Sequence, residues 1–286
     1  MNKKELMNTR LPLYLSGLLL MFGSCSSNDH ELPILKPHTP NTEAGHRLTS
    51  VIHAGNVPNT YDWTFTYHDD RLTKAAGVYK TGTEEHYSYE STLTYGYKSI
   101  KVSSTGNDKS TLTLNEQEML GHMTVNKNKY EFRYDNGYLT EWTEQVVSES
   151  FGQVTSYTSH ADIVYTISGN LKEIIYTENQ NYPYDYCQLT FNTTDTLNVN
   201  GLLPEAVSRE MGCLGFEHLY YAGVLGRATR NLVRDVTFTY PLRPEKNKTI
   251  RFMYALRGND VTLCNYTNDG QPVSTTYLYL LLSGKP

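Results

Sequence analysis

An alternation of aromatic and polar residues with a period of two narrows the fold more than any other feature of this chain. Trp63, Phe65 and Tyr67 are separated by Thr64 and Thr66, and Tyr130, Phe132 and Tyr134 by Glu131 and Arg133. Val236, Phe238 and Tyr240 alternate with Thr237 and Thr239 in the same way. Between residues 87 and 98, Tyr87, Tyr89, Ser91, Leu93, Tyr95 and Tyr97 fall on one side, and Ser88, Glu90, Thr92, Thr94 and Lys98 on the other. Successive strand side chains point to opposite faces, so these runs read as antiparallel strands with one packed and one wet face. A slip of one residue would turn the aromatic set to water, which specifies the register firmly. Composition supports this: 24 Tyr against 8 Phe and 2 Trp, with 19% charged residues, suits half-buried sheet and not a helical bundle or coiled coil.

The alternation also repeats. Residues 65–74 line up with 132–141, and weaker copies begin at Val164 and Tyr266. Each copy is an aromatic strand end, an Asp/Asn/Gly turn, and a new strand opening on an apolar residue. Asn136-Gly137 and Asp269-Gly270 supply the positive φ that tight hairpins require. The expected fold is mainly β: an antiparallel hairpin meander over residues 61–286, forming one curved or barrel-like domain. A helical insert near residues 202–226 interrupts it. Residues 201–211 read as a helix opening, with Pro204 and Glu205 in the first turn and stops at Gly212 and Gly215. Residues 218–225 read as a second short helix ending at Gly226. The final run, Tyr277 to Leu282, is apolar on both faces and predicts a strand buried on both sides or covered by the insert.

The N-terminus reads as a targeting segment. Lys3, Lys4 and Arg10 precede an apolar run from Leu11 to Phe22, shorter than the roughly 20 residues a spanning helix needs. Phe22-Gly23-Ser24-Cys25 resembles the lipobox of bacterial lipoproteins. That resemblance implies a signal peptide over 1–24 and acylation of Cys25, palmitate included. Residues 25–60 then read as a lipidated, flexible tether broken by Pro33, Pro37, Pro40 and Pro58, with Leu48 to His53 as a candidate first strand. The expected location is the outer membrane, with attachment through the lipid. Asp29 and Glu31 weakly resemble a surface-export signal, and surface or periplasmic facing stays open. Removing three basic residues and Glu5 with the signal leaves 22 basic against 29 acidic residues. No basic run remains to bind a phosphate backbone, so nucleic acid is not an expected partner. Cys187, Cys213 and Cys264 show no C-x-x-C spacing. They read as buried small hydrophobes, or as one disulfide and one free thiol.

The aromatic-x-Tyr-turn-Leu units are similar to those of a family of Bacteroidota lipoproteins known as a domain of unknown function with a porin-like fold. Residues 195–200, 211–215 and 228–232 resemble that family's asparagine-rich strand, glycine-flanked helix and Asn-Leu return to the sheet. Val233 stands where the family carries Pro. The resemblance covers the chain from about residue 60 onward and implies a barrel-like antiparallel sheet, with no activity attached. A mean hydropathy of −0.51, together with a lipid anchor, favours a barrel packed inside and wet outside over a membrane-spanning one.

No G-x-S-x-G, H-E-x-x-H, phosphate-binding glycine loop or calcium loop occurs. No cofactor or metal is expected, and His68, His86, His122 and His160 are scattered. Asp69-Asp70 and Glu84-Glu85 are neighbours on strands, so neither pair can face itself as an acid/base couple. The remaining candidates are aromatic rings able to stack on a sugar: Trp142, flanked by Glu141, Thr143 and Glu144, and Trp63. The favoured reading is a non-enzymatic module that binds a glycan or an envelope protein. The alternative is a glycan hydrolase whose carboxylates converge only in the fold, and the third a structural envelope component.

Overall fold

A computed structural model describes residues 46–68, 71–104, 109–150 and 153–281. The signal segment, Cys25, the tether as far as Gly45, Asp69-Asp70 and Leu282 lie outside the described residues. Among the described residues, the period-two runs form seventeen strands. They are β1 (His46–Gly55), β2 (Val57–His68), β3 (Arg71–Gly82), β4 (Glu84–Gly96), β5 (Ser99–Ser104), β6 (Lys109–Leu114), β7 (Leu120–Val125), β8 (Asn128–Asp135) and β9 (Tyr138–Ser150). There follow β10 (Gln153–Tyr165), β11 (Leu171–Thr177), β12 (Tyr186–Leu197), β13 (Asn231–Thr239), β14 (Lys248–Arg251), β15 (Met253–Arg257), β16 (Asp260–Asn268) and β17 (Gln271–Leu281).

Apart from β14 and β15, each strand pairs antiparallel with the next along the chain, as a hairpin meander requires. Strands β14 and β15 are parted by Phe252 alone, whose N–H still donates to the Arg234 carbonyl at 2.9 Å, so they act as one broken strand. Strand β17 returns to β1 over a long ladder from His46↔Leu281 to Gly55↔Val273. Between β1 and β2 only Ser50↔Thr64 and Val51↔Trp63 are paired, so the barrel is nearly closed, with a short seam. At the tips of two hairpins, Asn136-Gly137 and Asp269-Gly270 take positive φ, as their sequences predict.

The alternation sorts the two faces. Trp63, Phe65, Leu93, Phe132, Trp142, Ile174, Phe191, Phe238 and Tyr277 are buried, while Thr64, Thr66, Lys101, Glu131 and Arg133 face water. Ion pairs such as Lys74–Glu90 (2.8 Å) and Arg133–Glu141 (2.9 Å) lie on the outer face. A membrane-spanning barrel reverses this arrangement, with an apolar band outside and a polar lumen.

The lumen is filled by the chain itself. Residues 198–230, between β12 and β13, touch Trp63 of β2, Trp142 of β9, Leu120 of β7 and Tyr277 of β17. Those strands stand on different sides of the ring, so a segment reaching all of them runs inside it. Leu202, Leu203, Val207, Met211, Cys213, Leu219, Tyr220, Tyr221, Val224 and Leu225 are buried there. The barrel lacks the interior side-chain volume to close on itself, and the insert supplies it.

Three expectations change, and one open alternative is decided. The 201–211 helix does not form; the insert is mostly turns, and its one α-helix is α1 (Glu217–Tyr221), which replaces the 218–225 helix. Positive φ at Ala206, Gly212 and Gly215 explains this, since each breaks helical propagation, and tertiary contacts replace the lost hydrogen bonds. Strand structure begins at His46, so β1 and the start of β2 take up residues assigned to the tether. Strand β17 is not buried on both sides: Tyr277 is 2% exposed, but Leu278 and Leu280 point outward at 47% and 62%. All three described cysteines are buried free thiols, which settles the disulfide question for them.

Candidate functional site

The insert closes one end of the barrel. Its two stems are stitched together by Asn198 N–H to the Arg230 carbonyl (2.8 Å). They are tied to the turns at that end by Arg227 N–H to Gly137 O (2.7 Å), Leu171 N–H to Thr229 Oγ1 (3.0 Å) and Asn200 Nδ2 to Asp260 Oδ1 (2.8 Å). The tip, residues 208–219, sits deeper and forms a floor facing the other end. Here the two tryptophans find their place. Trp142 Nε1 donates to the Glu210 carbonyl at 2.9 Å, and its ring lies against Gly212 so closely that a Cβ there would stand 2.6 Å from it. Trp63 Nε1 donates to Glu217 Oε2 at 3.2 Å, and its indole occupies space left by Gly77 on the neighbouring strand. Both indoles are buried, at 1% for Trp63 and 3% for Trp142, and both hold the insert through their Nε1 hydrogen bonds.

A buried polar network locks the insert to the wall at Glu205, just before that floor. His53 of β1 reaches Asp62 with Nδ1 and Glu205 with Nε2, each at 3.1 Å, and the Tyr277 hydroxyl donates to the other Glu205 oxygen at 2.5 Å. Lys80 closes on Asp62 at 2.5 Å. Burial alone would lower the His53 pKa, but the flanking Glu205 and Asp62 outweigh it and hold it up at about 9. Burial raises Glu217 to about 7.

Above the floor the barrel opens into a bowl with three adjoining recesses of about 250, 510 and 260 Å³. Tyrosines from strands around the ring line it: Tyr61, Tyr87, Tyr130, Tyr157, Tyr176, Tyr240 and Tyr266. Burial raises the pKa of Tyr61, Tyr130, Tyr176, Tyr240 and Tyr266, so those hydroxyls stay protonated and neutral. The two smaller recesses share Arg209 and Glu178, paired at 2.7 Å with side chains 41% and 49% exposed, which opens this half of the bowl to water. Glu144 accepts from the Tyr130 hydroxyl at 2.5 Å, and burial raises Glu210 to about 7. Bowls of this size bind small molecules or single residues of a polymer.

Solved structures share this architecture. A porin-like protein from Bacteroides uniformis superposes with a TM-score of 0.61 at 20% identity, over 82% of this chain and 96% of its own. A second porin-like protein, from Bacteroides vulgatus, gives 0.50 at 12% identity, over 81% and 98%. The fold is porin-like. At these identities the likeness concerns the fold alone. No family model matches the chain, and no curated protein does.

Within this porin-like barrel, the bowl gathers residues that sequence reasoning did not single out. Arg209 and Glu210 are a charged doublet in an insert that also carries Glu205, Glu217 and Arg227, and the tyrosines come from strands scattered along the chain. The doublet and the tyrosines of the alternating strands were the available signals. Neither says that the residues face one another. Trp142 lines the 260 Å³ recess of the bowl beside Tyr130 and Tyr157, whereas Trp63 borders only a small crevice beside Glu205.

Proposed function

We propose that this protein is a lipid-anchored, non-enzymatic binding module of the cell envelope, and that the tyrosine-lined bowl takes its ligand, a glycan in the first instance. The observation that carries this reading is the bowl itself. Neutral tyrosine hydroxyls and an exposed Arg209–Glu178 pair stand on a rigid floor, giving flat amphipathic faces beside hydrogen-bonding groups. Sugar rings present the complementary pattern of apolar faces and hydroxyl edges. Acylation of Cys25 would tether the module to the outer membrane, and radiolabelled palmitate incorporation lost in Cys25→Ala tests that part.

Affinity electrophoresis of the chain in polysaccharide-loaded gels tests the bowl. Retardation is expected, with Arg209→Ala and Tyr157→Ala migrating faster than the parent. Unchanged mobility across a broad polysaccharide panel removes the glycan reading and leaves an envelope-protein partner.

One observation favours a second reading, a glycan hydrolase. Glu210, with its pKa raised to about 7, shares a recess with Glu178, which is ion-paired to Arg209. An acid and a carboxylate held in different environments are the minimum for glycoside cleavage. Release of reducing ends that disappears in Glu210→Gln would establish it.

A further inference from the structure

The 260 Å³ recess lies in the middle of the bowl. It shares Tyr176, Glu178 and Arg209 with the 250 Å³ recess, and Tyr130 and Phe216 with the 510 Å³ one. Most carboxylates of the bowl are answered. Glu178 is paired with Arg209 at 2.7 Å, Asp185 faces Arg243 at 3.5 Å, and burial pushes Glu210 up to about 7. Glu144, on β9, is the exception. It has no cationic partner among the described residues, and the charges lining the 260 Å³ recess are Glu144, Glu178 and Arg209. This part of the bowl therefore carries one negative charge in excess.

Glu144 is half-buried, and its hydrogen bonds leave one oxygen unused. Asn128 Nδ2 at 2.9 Å and the Tyr130 hydroxyl at 2.5 Å both donate to Oε1. Oε2 accepts nothing among the described residues and is open to water. The same is true of the Tyr157 and Tyr176 hydroxyls, which line the recess beside it. Burial, and after it the charge of Glu144, raises the Tyr157 pKa. Burial, then Glu178 and Glu210, with a smaller share from Glu144, raise that of Tyr176. Both hydroxyls stay neutral, and both feel Glu144. The surrounding rings brace one another: Tyr130 meets Phe216 edge to face at 5.8 Å, and Trp142 lies 5.9 Å from Tyr176.

One carboxylate oxygen and two hydroxyl oxygens, beside aromatic rings, match the single charge and three N–H donors of an ammonium group. A hard metal ion would find one unpaired carboxylate, and no group of three metal-ligating His, Cys, Asp or Glu side chains occurs among the described residues. A neutral ligand would desolvate Glu144 with nothing to offset the loss. We propose that the 260 Å³ recess receives a protonated primary amine of the bound glycan, an amino sugar without its acetyl group, with Glu144 as the counter-charge. Tyr157 and Tyr176 supply the further acceptors. The proposal rests on the glycan reading and names the kind of sugar that reading leaves open.

Calorimetric titration of the full chain tests it, at about pH 6, where a sugar amine is protonated. The probes are the β-1,4-linked glucosamine tetramer, its fully N-acetylated counterpart and cellotetraose, which share one backbone and differ only at C2 of each ring. The glucosamine tetramer should bind at least about 10-fold tighter than either neutral one, the worth of a hydrogen-bonded charge. Glu144→Gln should bring it down to the level of cellotetraose and leave cellotetraose unchanged. That result separates a specific pair from the general attraction of a cationic sugar to an acidic chain. Tyr157→Phe should weaken the glucosamine tetramer about 3- to 10-fold. Equal binding of the N-acetylated tetramer or of cellotetraose overturns the amine and leaves the glycan reading standing. So does an absence of binding by all three while a polysaccharide retards the chain in gels. If no polysaccharide retards it either, both readings fall. Survival of the amine preference in Glu144→Gln also overturns the proposal. Should that variant not melt cooperatively, Tyr157→Phe decides, and undiminished binding there rejects the site.

Discussion

At the residue scale, the contacts that hold the floor of the bowl are sterically and electrostatically exacting. Gly212 combines a φ of +67° with an indole 2.6 Å from where its Cβ would lie. Gly212→Ala should therefore lose about 2–4 kcal/mol, summing left-handed backbone strain and overpacking, measured by urea unfolding. Gly258, also at positive φ but with nothing within 4 Å, serves as the comparison and should lose only the backbone share. His53 sets a pH dependence. Its folded pKa of about 9 lies above the unfolded 6.5, so its contribution is complete below pH 6.5 and fades as pH rises toward 9. The parent should lose on the order of 2–3 kcal/mol relative to His53→Gln between pH 6 and 8.5. Parallel stability curves for the two proteins would show that the ion pairs do not govern His53.

At the scale of a strand, alternation makes neighbours unequal. Tyr277 points in and donates to buried Glu205, whereas Leu280, three residues on, points out. Tyr277→Phe should cost roughly 1–3 kcal/mol, because it leaves a buried carboxylate oxygen unmatched. Leu280→Thr should stay within about 0.5 kcal/mol of the parent. Thermal melts of the two variants check the facing of β17 directly. The run from Tyr277 looked apolar on both faces because hydrophobicity alone does not say which leucines are covered. The insert shows the converse. Pro204, Glu205 and two glycine stops have the chemistry of a helix start and end, yet the intervening residues fold as turns because their partners are the barrel wall.

At the scale of the whole molecule, the last strand closes the ring on the first. His46 pairs with Leu281, so the described ends meet side by side. A chain truncated after Gly270 loses both ladders of β17 and should show no cooperative unfolding by circular dichroism. A circular permutant that links Leu281 to His46 and opens between Gly258 and Asn259 keeps every ladder and should melt cooperatively. A folded truncation product would mean that the insert, and not closure, carries the fold. The sequence by itself determined the strands, their faces, the hairpin turns and the antiparallel meander, because period-two alternation and Asn-Gly chemistry act between near neighbours. It also marked Trp63 and Trp142 as unusual, but not what they touch. Only the tertiary structure decided that the insert turns inward and that the indoles hold its tip. Closure of the sheet, in turn, brings Arg209, Glu178, His218 and the tyrosines together at one end. Those residues are far apart in the chain, and the strain, burial and charge that define the bowl exist only once the ring has formed around the insert.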